Sequence, residues 1–314
     1  MSFFHCPVGA SSKGTEECIS CGMCTALTRE EQKKAADIVR AYLRSNVSKR
    51  LSRYVIKKIA VCGKGGAGKS TVAAMMAIAL RDMGYEVLVI DTDESNSGLH
   101  RKLGIDNLPK PLLSFIDRFN DGVAEDSSWL DQDSIKLEDI PETFITTNNR
   151  LSFMMAGKIE DAMQGCACSA SDLLKLLLSK IEVDDRQIVI IDNEAGVESF
   201  GRGLELYVDT VITVVEPSFE SIGMAGTIKY MAEGLGISRI RAILNKVTSD
   251  KIEKVMIGRL LEQEVKYLGV MRLDDDINVA GLLGEVVSEC DAKTKFESIV
   301  RIMLDEAEMK YNAI

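Results

Sequence analysis

Proline is scarce in this chain of 314 residues, with only 5, and aromatic residues make up just 5% of it. Set beside 46% hydrophobic and 27% charged residues, that scarcity argues against a disordered, collagen-like or repeat protein. It favours a globular chain long enough to bury a full core. Long apolar runs are missing as well. None approaches the ~18 residues that span a bilayer, so no membrane partner is expected. Positive charge is in deficit: acidic residues outnumber basic ones 48 to 38, a formal net charge of -10. That balance disfavours a sequence-independent grip on nucleic acid, although it leaves room for a local basic patch. No signal peptide opens the chain, and a cytoplasmic address is the expectation.

Cysteine, in contrast, is plentiful and clustered. Of 8 cysteines, Cys6, Cys18, Cys21 and Cys24 crowd the beginning, Cys166 and Cys168 form a CxC pair, and Cys62 and Cys290 stand apart. In a reducing compartment such clusters are more often metal ligands than disulfides. The organisation read from the chain is a cysteine-rich arm over residues 1–27, a linker helix over 28–54 and a nucleotide-binding domain over 55–314. In the linker, Ala36, Ile38, Val39, Tyr42 and Leu43 fall on one helical face. Beyond it, the apolar runs "IAVC", "VLVID", "QIVIID", "TVITVV" and "IRAILN" alternate with helical stretches. This predicts an α/β fold with a mostly parallel central sheet flanked by helices. Residues 106 to 165 break the rhythm and read as an insertion or a mobile region of the same domain. His100 reads as a surface helix residue, Cys62 as a small buried residue at a strand end, and Cys290 as lying near the start of the last helix.

The stretch "CGKGGAGKST" joins the strand "IAVC" to "STVAAMMAIALRDMG", predicted as an amphipathic helix. A glycine-rich turn at a helix N-terminus aims backbone N–H groups at an anion, and the helix dipole adds to their pull. Gly63, Gly65, Gly66, Ala67 and Gly68 would form that cradle. Lys69 would reach the β- and γ-phosphates of ATP, Ser70 would ligate Mg²⁺, and Thr71 would touch the α-phosphate. Lys64 is surplus to such a loop.

That second lysine makes the stretch resemble the deviant Walker A motif, KGGxGK[ST], of the MinD, ParA and nitrogenase iron protein superfamily, P-loop NTPases of the SIMIBI class. The resemblance implies a sandwich homodimer in which Lys64 crosses to the partner's nucleotide and stabilises charge on the transferred phosphoryl, as an arginine finger does. Further matches imply that Asp93, after Asp91 in "VLVIDTDESN", is the switch I aspartate that positions water and supports Mg²⁺. They make Asp192, ending "VIID", the Walker B carboxylate, and Asn245 in "AILNK" the residue that reads the adenine edge.

Within the superfamily, "DNEAGVESFGRG", "VVEPSFESIGMA" and "ILNKV" resemble the CooC-type ATPases that insert nickel into carbon monoxide dehydrogenase. That likeness extends over residues 56 to 310. It implies a client metalloenzyme such as carbon monoxide dehydrogenase, and a metal bound across the dimer by Cys166 and Cys168 of both subunits. Four thiolates of this kind suit nickel, zinc or a [4Fe-4S] cluster alike. ATP binding and hydrolysis would then open and close the metal site. The acidic C-terminal "MLDEAEMKYNAI" does not suit a MinD-like membrane helix.

The arm sets this chain apart from CooC-type sequences. "CISCGMC" resembles a ferredoxin cluster loop, so Cys18, Cys21, Cys24 and Cys6 are expected to hold a [4Fe-4S] cluster, with zinc as the alternative and His5 as a weak candidate for assistance. The leading "HCP" also resembles Mrp-type iron-sulfur scaffold ATPases. Other readings are an ATP-dependent reductase like nitrogenase iron protein and a ParA-like partitioning switch, which leaves the cysteines unexplained.

Overall fold

The computed structural model describes residues 56–92, 98–114, 128–157, 167–197, 200, 203–287 and 290–312. They lie within the larger of the two units into which the chain divides, Leu51–Ile314. Asp93, Cys166 and the arm and linker proposed for residues 1–54 fall outside the described residues.

Eight strands form one sheet: β1 (Lys58–Gly63), β2 (Glu86–Asp91), β3 (Thr146–Asn148), β4 (Leu151–Met155), β5 (Gln187–Asp192), β6 (Thr210–Val215), β7 (Arg239–Val247) and β8 (Tyr267–Arg272). Their spatial order is β3-β4-β2-β5-β1-β6-β7-β8. All neighbours run parallel except β3 and β4. The predicted mostly parallel α/β fold is therefore the observed one. Successive residues feed opposite layers, as the pleat requires. Ile59 and Val61 of β1 join one core, and Ala60 and Cys62 join the other.

Helix α1 (Lys69–Asp82) follows β1. The amphipathic expectation needs correction here, because every residue from Val72 to Leu80 is buried. The helix is enclosed by the sheet and by α8 (Asp291–Asn312), whose Phe296, Ile299, Val300 and Met303 share its core. An enclosed helix has no wet face to mark with polar residues. The other α-helices among the described residues are α2 (Leu99–Lys102), α3 (Ser128–Asp131), α4 (Ala167–Lys180), α5 (Phe219–Gly234), α6 (Asp250–Glu262) and α7 (Asp275–Leu283).

Residues 106 to 165 are not simply an insertion. They supply β4, which pairs in parallel with β2 over Val87↔Leu151 to Asp91↔Met155, and β3, which returns antiparallel at the sheet edge. The two residues between them, Asn149 and Arg150, have φ of 45° and 63°. Consecutive positive φ values build the tight turn that matches strand twist, and asparagine is favoured there. His100 is likewise not a surface residue: it is buried, its ring 6.0 Å from that of Phe153.

Candidate nucleotide site

The sheet brings the carboxyl ends of β1, β5, β6 and β7 together, and the glycine loop leaves β1 among them. Gly63 opens it with φ 146°, so close to β6 that a Cβ would lie 2.5 Å from Val214 O. Gly68 closes it with φ 95° as the N-cap of α1, and Val72 N donates to Gly68 O at 2.9 Å. Between them, Ala67 N donates to Lys64 O at 3.2 Å. The result is a turn whose backbone leads into the positive end of a 14-residue helix.

Lys69 is buried at the first position of α1. Asp192 ends β5 with no exposed surface, level with Val61 of β1 and Asp91 of β2. Its carbonyl accepts from Thr92 N at 3.1 Å and from Thr92 Oγ1 at 2.9 Å. Asp192 offers a buried carboxylate at the end of β5 and Ser70 a hydroxyl at the second position of α1, both hard-oxygen donors. Ser70 and Asp192 therefore fit Mg²⁺, which when bound would neutralise phosphate charge.

The chain after β5 is latched to β1, with Asn193 N donating to Val61 O at 3.1 Å and Gly196 N to Gly63 O at 3.0 Å. The Asn193 amide donates to Cys62 Sγ at 3.2 Å and to Glu205 Oε1 at 3.1 Å. Burial first, and then the charge of Glu205, push the Cys62 thiol well above the usual range. Cys62 is thus an inert packed thiol, as its place at the strand end suggests.

Lys64 is turned to the mouth of the site, 35% exposed, with its Nζ 3.4 Å from Glu216 Oε1. The other oxygen of Glu216 lies 3.6 Å from Lys246 Nζ, which also donates to Gly66 O. Lys246 holds φ 58°, unusual outside glycine. Asn245, before it, donates from Nδ2 to Ala67 O at 2.9 Å, so its amide braces the loop. From the other side, Lys102 Nζ donates to Thr71 Oγ1 at 3.0 Å. Lys64 and Lys69 lie on the loop and the start of α1, and Lys246 and Lys102 bond to Gly66 and Thr71 there, so four lysines gather around the glycine loop of an acidic chain.

The residues that motif reading assigned no role are Glu216, Lys246, Lys102, Asn193 and Glu205. Glu216 and Lys246 stand inside the stretches "VVEPS" and "ILNKV", where charge at strand ends was the available signal. Lys102 had none, because only folding brings α2 to α1. Cys168 is the second residue of α4. Among the described residues no three His, Cys, Asp or Glu side chains gather as a metal site, and no helix is long and apolar enough to cross a membrane.

A glycine loop between a central parallel strand and a helix, with an aspartate ending the adjacent strand, defines a P-loop nucleotide-binding protein. More narrowly, the chain belongs to the CobQ/CobB/MinD/ParA nucleotide binding domain family, whose model matches residues 58–287, and it is a MinD/ParA-type ATPase. It is 34% identical over 235 residues to an uncharacterised ATP-binding protein of Methanocaldococcus jannaschii, covering 73% of this chain and 92% of that protein. It is also 34% identical over 235 residues to the carbon monoxide dehydrogenase accessory protein CooC of Rhodospirillum rubrum, covering 72% and 88%. In fold it is similar to the septum site-determining protein MinD of Pyrococcus horikoshii OT3 complexed with Mg-ADP. The TM-score there is 0.60 at 20% identity, covering 81% of this chain and 98% of that one.

Proposed function

We propose that this ATPase is a homodimeric metal-maturation protein, which uses ATP binding and hydrolysis to take up and release a soft metal for a metalloenzyme client. The client would resemble carbon monoxide dehydrogenase, and nickel is the favoured cargo. The observation that carries the reading is the disposition of the two loop lysines. Lys69 is buried at the start of α1, whereas Lys64 is half-exposed and held only by Glu216 at 3.4 Å, a contact it would exchange for the partner's nucleotide. The similarity to CooC supports the metal assignment, as does a CxC pair whose second cysteine falls on the first turn of α4.

In this mechanism the loop backbone and Lys69 would hold the β- and γ-phosphates, Thr71 the α-phosphate, and Asn245 would read the adenine edge. Ser70, Asp93 and Asp192 support Mg²⁺. Lys64 of each subunit completes the partner's site, so hydrolysis requires the dimer. Cys166 and Cys168 of both subunits bind the cargo with four thiolates. Cys6, Cys18, Cys21 and Cys24 would hold a [4Fe-4S] cluster in the arm.

The test is a pair of variants. Lys64→Ala is expected to bind ATP with near-parental affinity but to lose hydrolysis by about 10³-fold, as removal of a trans-acting cation does. Lys69→Ala is expected to weaken binding and hydrolysis together. Parental hydrolysis by Lys64→Ala would sink the cross-subunit mechanism.

A further inference from the structure

Lys102 ends α2, far in sequence from the glycine loop, yet its Nζ donates to Thr71 Oγ1 at 3.0 Å. Thr71 is the third residue of α1, within the first turn of its anion-facing end. A hydroxyl has one proton to give, while an ammonium has protons only and no lone pair. When Thr71 Oγ1 accepts from Lys102, its own proton must therefore point elsewhere. In the nucleotide site proposed above, a phosphate oxygen is the acceptor that hydroxyl would meet.

We propose that Lys102 is a positioning residue for the nucleotide: its ammonium locks the Thr71 hydroxyl as a donor to the α-phosphate of a nucleoside di- or triphosphate and adds positive charge behind it. The inference rests on the assignment of Thr71 to the α-phosphate. Because ADP and ATP share that group, Lys102 serves both. This separates it from Lys64, whose role is tied to hydrolysis.

The experiment is calorimetric titration of the full chain with MgADP and MgATP. Lys102→Met is expected to lose about tenfold in affinity for both, the scale of one charge-assisted hydrogen bond. Thr71→Val, which keeps the shape and removes the hydroxyl, should lose a similar factor, and the double variant should lose little more than either single one. Lys102→Arg should recover most of the affinity, which a purely structural defect would not predict. Thermal unfolding without nucleotide checks each variant's fold; if Lys102→Met is unfolded, the Arg and Val variants carry the comparison, with parental affinity in Thr71→Val counting against the proposal. Equal binding by folded Lys102→Met and the parent overturns it, as does an additive double variant. A parent that binds neither nucleotide would instead overturn the nucleotide site itself, a failure visible before any variant is made.

Discussion

At the scale of single residues, the charges below the sheet's working edge show what burial costs. Asp209 accepts from the main-chain N–H groups of Lys57 and Lys58 at 2.8 and 2.7 Å, and its Oδ1 lies 3.5 Å from Arg239 Nη1. Burial nevertheless raises the pKa of Asp209 and lowers that of Arg239, so for both groups lost solvation outweighs pairing. Lys58 shows the same effect. Its Nζ donates to Leu178 O at 2.7 Å, and burial pushes it from 10.5 down to about 8, against the pull of Asp209 and Glu182. Between about pH 8 and 10.5 the unfolded chain keeps a proton at Lys58 that the folded chain has released. Stability therefore rises with pH across that window as far as this group is concerned. Relative to Lys58→Met, which has no such proton, the parent is expected to gain up to about 3 kcal/mol between pH 7.5 and 10.5. Urea unfolding of both proteins at the two pH values checks it, and a difference that stays flat would show that Lys58 does not titrate in this window.

Among elements, the parallel strands were legible because burial on both faces writes them as continuous β-branched runs, as in "QIVIID" and "TVITVV". The glycine loop was legible because its backbone geometry demands particular residues. Strand β4 was hidden by its polar neighbours and by "LSFMM", whose methionines and leucine do not favour strand over helix. β8, "YLGVMR", carries a glycine that lets Ile299 of α8 press to within 2.5 Å of where a Cβ would stand. That requirement is invisible until α8 is packed. The burial of His100 and the reach of Lys102 to Thr71 had no signal for the same reason. Within the loop itself, the two ends of legibility are testable together. Gly63→Ala would force a Cβ against the Val214 carbonyl at a φ that side chains rarely adopt, and is expected to cost at least about 2 kcal/mol. Gly65→Ala meets only Ala195 Cβ, at 3.5 Å, with no positive φ, and should change stability by less than about 0.5 kcal/mol. Thermal unfolding without nucleotide compares them; equal midpoints would mean that the loop gives way where the strand contact says it cannot.

For the molecule as a whole, the proposed mechanism links two sites through one symmetry axis. The loop, its lysines and the chain after β5 stand at the carboxyl end of the central strands, and Gly196 N on Gly63 O ties the latter to the loop. In the proposed mechanism, a γ-phosphate that displaced one would pull on the other through that bond. If the CxC pairs of two subunits meet at the interface that Lys64 crosses, a metal needing four thiolates binds the closed dimer better than separate chains. Linkage then requires metal to favour dimerisation, and nucleotide to alter metal affinity by the same factor that metal alters nucleotide affinity. Adding Ni²⁺ to the full chain is expected to shift monomer to dimer at about one metal per dimer beyond whatever the Cys166→Ala, Cys168→Ala double variant takes up. The arm's cysteines are common to both proteins, so their contribution cancels in the difference. MgATP and MgADP should give metal affinities at least about fivefold apart, the lower end of ordinary allosteric coupling. Sedimentation velocity with parallel metal titration reads both quantities. If the double variant binds metal and dimerises as the parent does, Cys166 and Cys168 are packing residues, and the link between the nucleotide site and metal delivery is lost.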